Sequence, residues 1–417
     1  FISTEQVSKG VRKLKAGKSD GGWDLTSDYI INGSNVLYTH VSWLFNCMLK
    51  HSFVPQGMRM STFVPIPKNR KKSLKNSDNY RSIVLSSILG KVLDNVILFT
   101  HIDQLQTCDL QFGFKAHHST IHCTFVFNEV VEYYVKGGHS CYAVLLDATK
   151  AFDRVNYTCL FNALCEKGLC PSVIKLLVNM YTAQDLRVKW SDCYSDSFSC
   201  TNGVKQGGVL SPTLFCVYMD NLLNCLKSSN IGCHLGKEFV GALGYADDLV
   251  LLAPSRSAAQ HMISLCEEFA RSFHVKFNST KSQVLLFNVP DIFSPLYING
   301  DAIPCVKTTQ YLGCLVGQSC DAQEMRRARN NLIMRTNVLL SKFNHCKYFV
   351  RVSLFQTFCT AFYGSPLWSL DRKSIESFIM SYRKCVRRVL NVHPRTRSAM
   401  LPLVMRKFDI VTQLQIR

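Results

Sequence analysis

Tyr245-Ala246-Asp247-Asp248 sets two carboxylates side by side between two apolar runs, Phe239 to Leu243 and Leu249 to Ala253. An apolar run, a short polar step and a second apolar run predict a β-hairpin with the acids at its turn. Adjacent carboxylates repel, and holding them beside apolar walls is costly. A bound cation would remove the repulsion, although for the pair alone a solvated acidic turn is the simpler reading. A further acid stands in a matching setting. Tyr142-Ala143-Val144-Leu145-Leu146-Asp147 is an apolar run ending in an acid. It predicts a buried strand with Asp147 at its C-terminal end, where open sheets place ligands. If that strand lies beside the hairpin, Asp147 and Asp247 converge. Carboxylates on neighbouring strand ends commonly hold Mg²⁺, which takes oxygen ligands and keeps waters for substrate phosphates.

Other elements must position these acids. Residues 1–60 carry a helical pattern, with Val7, Val11 and Leu14 on one face, and a Gly-rich turn spans Gly17 to Gly22. Prolines make Phe63 to Lys68 extended. A basic loop follows over 69–77, then an extended stretch from Tyr80 and a helix from about Ser86 to Leu105. Ser119 or Thr120 is the N-cap of a helix to about Val135, which Gly137-Gly138 ends. Beyond Asp147, helices are expected over 157–167 and 171–181, and Leu186 to Trp190 and Ser197 to Val204 alternate like a β-pair. Ser211-Pro212 opens a helix to Leu226, and Ser257 to Phe273 is amphipathic. Short strands are expected at Val284 to Phe287, around Tyr297 to Gly300 and at Tyr311 to Val316, with basic helices from about 321.

At 417 residues, 47% hydrophobic and 18% charged, the chain can bury a large core and exceeds one typical domain. Its net charge of +19 is uneven: Arg326 to Arg417 holds eighteen Lys/Arg and three Asp/Glu, a net +15. A solvated helical face usually mixes signs, so this stretch predicts a polyanion partner. Nineteen cysteines, with no signal-peptide pattern, no C-x-x-C pair and no Cys/His zinc spacing, predict reduced thiols, most of them in the core of an intracellular protein. No apolar run reaches the length that spans a bilayer, so no membrane is expected. The chain begins with Phe and stops in Gln-Leu-Gln-Ile-Arg, which reads as a stretch of a longer polyprotein.

Three stretches, LLDATKAFD (Leu145 to Asp153), NGVKQGGVLSP (Asn202 to Pro212) and YADD, resemble in type and order three core motifs of reverse transcriptases. More narrowly, the chain resembles the reverse transcriptases of non-LTR (LINE-type) retrotransposons. Flanking pieces agree: FVPIPK (Phe63 to Lys68), NYRSIVLSSILGKVLDNVI (Asn79 to Ile97), QFGF (Gln111 to Phe114) with Ser119-Thr120, and YLG (Tyr311 to Gly313). The resemblance covers residues from about 11 to about 320.

The resemblance implies an α+β right-hand polymerase. Its parts are an N-terminal helical extension (1–60), fingers (61–140), a palm with an antiparallel sheet (141–320) and a basic helical thumb (321–417). It implies RNA-directed DNA polymerisation: a DNA primer's 3′-hydroxyl attacks a deoxynucleoside triphosphate opposite an RNA template. Two Mg²⁺ ions roughly 3.5–4 Å apart can assist such an in-line displacement. By match to the family, Asp147 and Asp247 are the metal ligands and Asp248 a supporting acid. Lys281 matches the proton donor to pyrophosphate, with a surface lysine as the equal alternative. Lys68 and Arg81 match the triphosphate holders. Phe152 matches the aromatic under the incoming sugar, against plain core packing, and Gln206-Gly207 the pair facing the nucleotide. Tyr311, Leu312 and Gly313 match the primer-gripping hairpin, whereas Asp153 reads as a helix-start acid facing solvent. An endonuclease elsewhere in the polyprotein and a ribonucleoprotein of nucleus and cytoplasm are also implied. A decayed or co-opted RNA-binding copy and an intron-encoded maturase share the motifs and stay open as alternatives.

Overall fold

Ser3 and Gln6 cap each other at the start of helix α1 (Thr4–Arg12): the Ser3 side chain accepts from the Gln6 backbone, and the Gln6 side chain accepts from the Ser3 backbone. Val7 and Val11 bury one face of α1, which packs on α3 (Asn35–His51). With α2 (Ser27–Ile31) and α4 (Gln56–Arg59) this is the helical start expected for residues 1–60. The computed structural model describes residues 1–20, 25–290, 294–318, 320–368, 372–406 and 409–415. The expected Gly-rich turn falls partly outside the described residues.

Strands β1 (Met60–Pro67) and β2 (Tyr80–Leu85) pair antiparallel about the basic loop. Helix α5 (Ile88–Thr100) stops before the expected Leu105, because the backbone leaves helical geometry at His101. Ser119 is the N-cap of α6 (Thr120–Lys136), its Oγ accepting from the His122 N–H at 3.2 Å, and Gly137 closes the helix. Next come β3 (Cys141–Asp147), α7 (Tyr157–Glu166), α8 (Pro171–Thr182), β4 (Asp185–Trp190) and β5 (Cys193–Tyr194).

Here the structure corrects the sequence reading. The partner of Leu186 to Trp190 is not Ser197 to Val204. The chain reverses at Ser191, in left-handed conformation at φ 52°, so the return begins at Cys193. Only Phe198 of the expected second strand bridges back, to Leu186. The other edge of β4 lies parallel to β1, giving a first sheet of order β2-β1-β4-β5. Residues 185–194 thus lie within the 141–320 stretch but extend the sheet begun by residues 60–85.

Helix α9 (Ser211–Ser229), the small ribbon β6 (His234–Leu235) and β7 (Glu238–Phe239), then β8 (Ala242–Tyr245), β9 (Asp248–Ala253), α10 (Arg256–Ser272) and β10 (Gln283–Phe287) follow. The second sheet has the order β10-β3-β9-β8 and is antiparallel throughout. Both of its faces are covered. Val144, Leu146, Leu249 and Leu251 join the main core with Leu214, Met262 and Phe269, whereas Ala143, Val250, Leu252 and Leu285 pack with Cys123 and Phe127 of α6. That explains strands read as near-continuous apolar runs.

Ribbons β11 (Tyr297–Ile298) with β12 (Asp301–Ala302), and β13 (Thr308–Tyr311) with β14 (Cys314–Gly317), lead to the C-terminal helices. These are α11 (Cys320–Phe343), α12 (Tyr348–Leu354), α13 (Arg372–Leu390), α14 (Met400–Met405) and α15 (Ile410–Gln415). They hold their own core, centred on Phe355, Phe378 and Val389. Two cations of this basic segment are tied inward, Arg387 to Thr396 O and Ser398 and Arg351 to Asn344, whereas Arg388 is exposed and bonds Asn337 at the surface. All nineteen cysteines are free, and eight are buried, fewer than the majority expected for the core. Among the described residues no helix is long and apolar enough to cross a membrane.

Candidate active site

The pairing of β3 with β9 sets Asp147 opposite Asp248, and the two-residue turn before Asp248 carries Asp247. The acids predicted from separate runs therefore meet at one end of the second sheet. Burial pushes the Asp248 carboxyl up to about 6, and Asp247 and Asp147 add to it. Burial also raises Asp247, with Asp147 adding and Arg81 opposing. The carboxylates thus repel one another at the mouth of an open cleft, where Asp248 is exposed and Asp247 half-buried. Asp147 Oδ2 is buried without a hydrogen-bond partner and has the Lys281 ammonium at 3.4 Å. An orphaned carboxylate oxygen among mutually repelling acids suits a cation. Among the described residues no three His, Cys, Asp or Glu side chains stand close enough to hold a metal by themselves. Strand-end acids leave coordination positions for water and substrate oxygens, the way Mg²⁺ is usually held.

The backbone around these acids is clamped. Ala246 adopts a left-handed φ of 55°, a cost of about 1 kcal/mol or more for a residue with a Cβ. The buried Gln111 holds it there: Gln111 Oε1 accepts from the Ala246 N–H and from the Gly113 N–H, both at 2.9 Å. A Cβ at Gly113 would lie 2.5 Å from the Ala246 nitrogen, so glycine is needed for that approach. Residues 110–112 also bond Gly244 in both directions, lying along the free edge of β8. On the other side, the Asp147 N–H donates to Ser282 Oγ at 3.1 Å, and Asp147 O accepts from the Asn278 N–H at 2.9 Å.

An open cleft of about 340 Å³ joins Asp147, Asp248 and Lys281 to the turn at Leu312-Gly313. Asp247 is outside this lining. Leu312 and Gly313 have φ of 45° and 88°, the hairpin geometry that two left-handed residues give. Tyr311 anchors that hairpin: it is buried, with its ring against Phe127 and its hydroxyl 3.2 Å from Cys123 Sγ. The C-terminal segment grips the turn, for Tyr363 donates to Leu312 O at 2.7 Å and Arg327 to Gly313 O at 2.7 Å.

The first sheet closes the other side. Arg81 is exposed on β2 and acts on Asp247. Gln206 O accepts from Val84 N at 2.7 Å, and Gln206 Nε2 donates to Asp153 Oδ1 at 3.2 Å. Gly207 has φ 104°, and a Cβ there would lie 3.2 Å from Val84 O. Phe152 is half-buried and stacks on Phe215 at 4.4 Å. Lys68 is exposed and donates to Asp78 O at 3.0 Å. The Asp78 carboxylate bonds Lys150 at 2.8 Å, which holds its pKa below the usual range, and Lys68 and Lys281 add to the effect. This exposed carboxylate therefore pairs with one lysine, and the charges of two more act on it.

The family model described as "Reverse transcriptase (RNA-dependent DNA polymerase)" matches residues 66–316. The chain belongs to the reverse transcriptase family. The Pol polyprotein from the type-2 retrotransposable element R2DM of Drosophila melanogaster is 29% identical over 65% of this chain and 26% of its own length. The RNA-directed DNA polymerase from the mobile element jockey of the same fly is 24% identical over 100% of this chain and 46% of its own length. The chain therefore spans between about a quarter and about half of these curated relatives. They agree with the non-LTR resemblance read from the motifs. Among solved structures, telomerase from Candida albicans in complex with a fragment of telomeric RNA has a TM-score of 0.45 and 10% identity, over 89% of this chain and 70% of that one.

In this chain the structure brings Asp147, Asp247, Asp248 and Lys281 together, with the charge of Arg81 acting on Asp247. Gln206-Gly207 and Phe152 lie at the junction of the sheets, and Tyr311 supports the turn from within the core. Sequence reasoning misses the clamps. Gln111 stands out only as part of a motif, and Ser282 not at all. It also misses Asp94 on α5, whose buried carboxyl accepts weakly from Leu210 N at 3.5 Å. The half-buried Lys205, beside Gln206, acts on this carboxylate by its charge. The available signal is a lone acid in the apolar run Val92 to Ile97.

Proposed function

We propose that the chain is an RNA-directed DNA polymerase that extends a DNA primer on an RNA template, with the acid cleft as its catalytic centre. One observation carries this reading. Asp147 meets the Asp247-Asp248 turn beside a cleft shared with Lys281 and Leu312-Gly313, and Asp147 Oδ2 lacks a hydrogen-bond partner. Asp147 and Asp247 would hold two Mg²⁺ ions, with Asp248 in support, and the ions would supply charge neutralisation at the attacking and leaving oxygens. Lys281 is within ion-pair reach of Asp147 and holds a proton for the departing pyrophosphate. Lys68 and Arg81 bind the triphosphate, and Lys150 joins them once phosphate displaces Asp78. Gln206 and Gly207 present backbone to the nucleotide, and Phe152, braced by Phe215, forms the floor under the sugar. Leu312 and Gly313, held by Tyr311, Tyr363 and Arg327, position the primer terminus. In this reading the first sheet with its loop forms the fingers, the second sheet the palm and the C-terminal helices the thumb. RNA template, DNA primer and deoxynucleoside triphosphates are the partners.

The test is extension of a DNA primer annealed to RNA, with Mg²⁺ and all four deoxynucleotides. Full-length product that EDTA abolishes and Mg²⁺ restores is expected. Binding of the hybrid without extension would support a co-opted RNA-binding copy instead.

A further inference from the structure

Alternation along the first sheet divides its side chains into two sets. Arg81 shares a face with Ile83, whose Cγ2 would lie 3.4 Å from a Cβ on Gly207, so this face looks toward the 206–207 turn, and the register Ile66↔Arg81 puts Ile66 on the same side. Tyr80, one residue earlier, points the other way, as do Phe63 and, on β4, Val188 and Trp190. Ring geometry supports the second set: Tyr80 lies 5.7 Å from Trp190, and Phe63 stacks on Phe198 at 6.1 Å and 11°. Trp190 is 56% exposed and Phe198 41%, on a sheet face turned away from the cleft.

The basic loop bends to this same face, because the Tyr80 hydroxyl donates to Leu74 O at 2.9 Å. Residues 68–78 hold five Lys/Arg and one Asp, and that Asp is bonded to Lys150. Arg70, Lys71, Lys72 and Lys75 are all exposed. The exposed Asp192 and Asp196 of the neighbouring strand region offset only part of this charge.

We propose that this outer face is a docking platform for unpaired nucleic acid, with bases stacking on Trp190 and Tyr80 and phosphates meeting the 70–75 loop. Exposed rings beside a cationic loop match such a strand, since every base offers a π-face and every link a charge. A strand of bases pairs a planar face with a negative charge at every link, which suits both rings and cations at once. The platform does not require the cleft to polymerise.

The test reads binding, not extension, and contains no nucleotides. Labelled twelve-residue oligo-U and oligo-dT are titrated with the full chain, by anisotropy, in excess blunt RNA–DNA duplex that occupies the cleft. Trp190→Ala is expected to weaken binding by about tenfold, as loss of one stacked base predicts, and Trp190→Phe to restore most of it. Lys71→Gln with Lys72→Gln should lower the salt slope by about 0.7 for each phosphate of a single strand that is no longer neutralised. Whichever oligonucleotide wild type holds more tightly names the strand type. Wild-type affinity in Trp190→Ala would overturn the platform, even with a loop effect, because the loop would then be a plain cationic patch. Failure of wild type to bind either oligonucleotide at low salt would overturn it as well.

Discussion

Asp147 lies opposite Asp248 in the β3–β9 ladder, one position from the turn that carries Asp247. A one-residue slip in that ladder would send the acids to opposite faces. The packing of both faces, with Val144 toward one core and Ala143 toward the other, fixes the register against such a slip. The site is thus positioned by the sheet's apolar pattern rather than by the acids themselves, which repel.

Gln111 secures the turn. Gln111→Leu leaves the Ala246 and Gly113 N–H groups unpaired, and one buried unpaired donor costs about 1–3 kcal/mol. Urea unfolding should show at least that loss, with a fall in extension rate larger than the fall in folded fraction. Gln111→Glu keeps the acceptor and should recover much of the rate. Equal rates for Gln111→Leu and wild type would remove Gln111 from the turn.

These clamps mark the limit of what the sequence discloses. Apolar runs reveal β3, β8 and β9, because their side chains are buried on both faces, and ordered motifs reveal Asp147, Asp247 and Gln206. Gln111 cannot be assigned its clamp from sequence, since its partner Ala246 is 135 positions away and the bond exists only after the chain folds. The pairing of β4 with β1 is hidden for the same reason. Local alternation is identical for any partner strand, and the reversal at Ser191 rests on a left-handed residue that is not glycine.

Phe152 is stacked on Phe215, so part of its role is packing. Phe152→Val should cost less than the ~3–5 kcal/mol of a full Phe-to-Ala truncation. It should also raise the ratio of ribonucleotide to deoxynucleotide incorporation. The two rates are compared on one template, and an unchanged ratio would leave Phe152 a packing residue.

Asp94 gives the fold a pH dependence. Burial pushes its carboxyl up to about 6, so between about pH 4 and 6 the folded chain binds a proton that the unfolded chain has released. Its contribution is therefore present below about pH 4 and is lost as pH rises through about 6, by up to about 3 kcal/mol. Asp94→Asn should remove that decline. Urea unfolding at intervals from pH 4 to 7 checks it, and parallel curves for the two proteins would refute it.

The basic C-terminal helices predict salt-dependent binding. Arg326, Lys342 and Lys347 are exposed, unlike the half-buried Arg387 and the buried Arg351. Replacing each with Gln should lower the log–log salt slope for primer–template binding by about 0.7–0.9 for every phosphate left without its cation. An unchanged slope in the triple variant would move the nucleic-acid surface off α11 and the segment after it.

Asp147 and Asp247 are the residues on which the proposed chemistry turns. Asp147→Asn and Asp247→Asn each remove a charge and almost no volume, so folding and hybrid binding should persist. The deciding measurement is single-turnover extension of a DNA primer on RNA in saturating Mg²⁺ by wild type and both variants, with hybrid affinity measured alongside. Loss of extension by at least about a thousandfold, at unchanged affinity, is the predicted result, corresponding to about 4 kcal/mol of transition-state stabilisation. Extension by either variant at the wild-type rate would contradict the account.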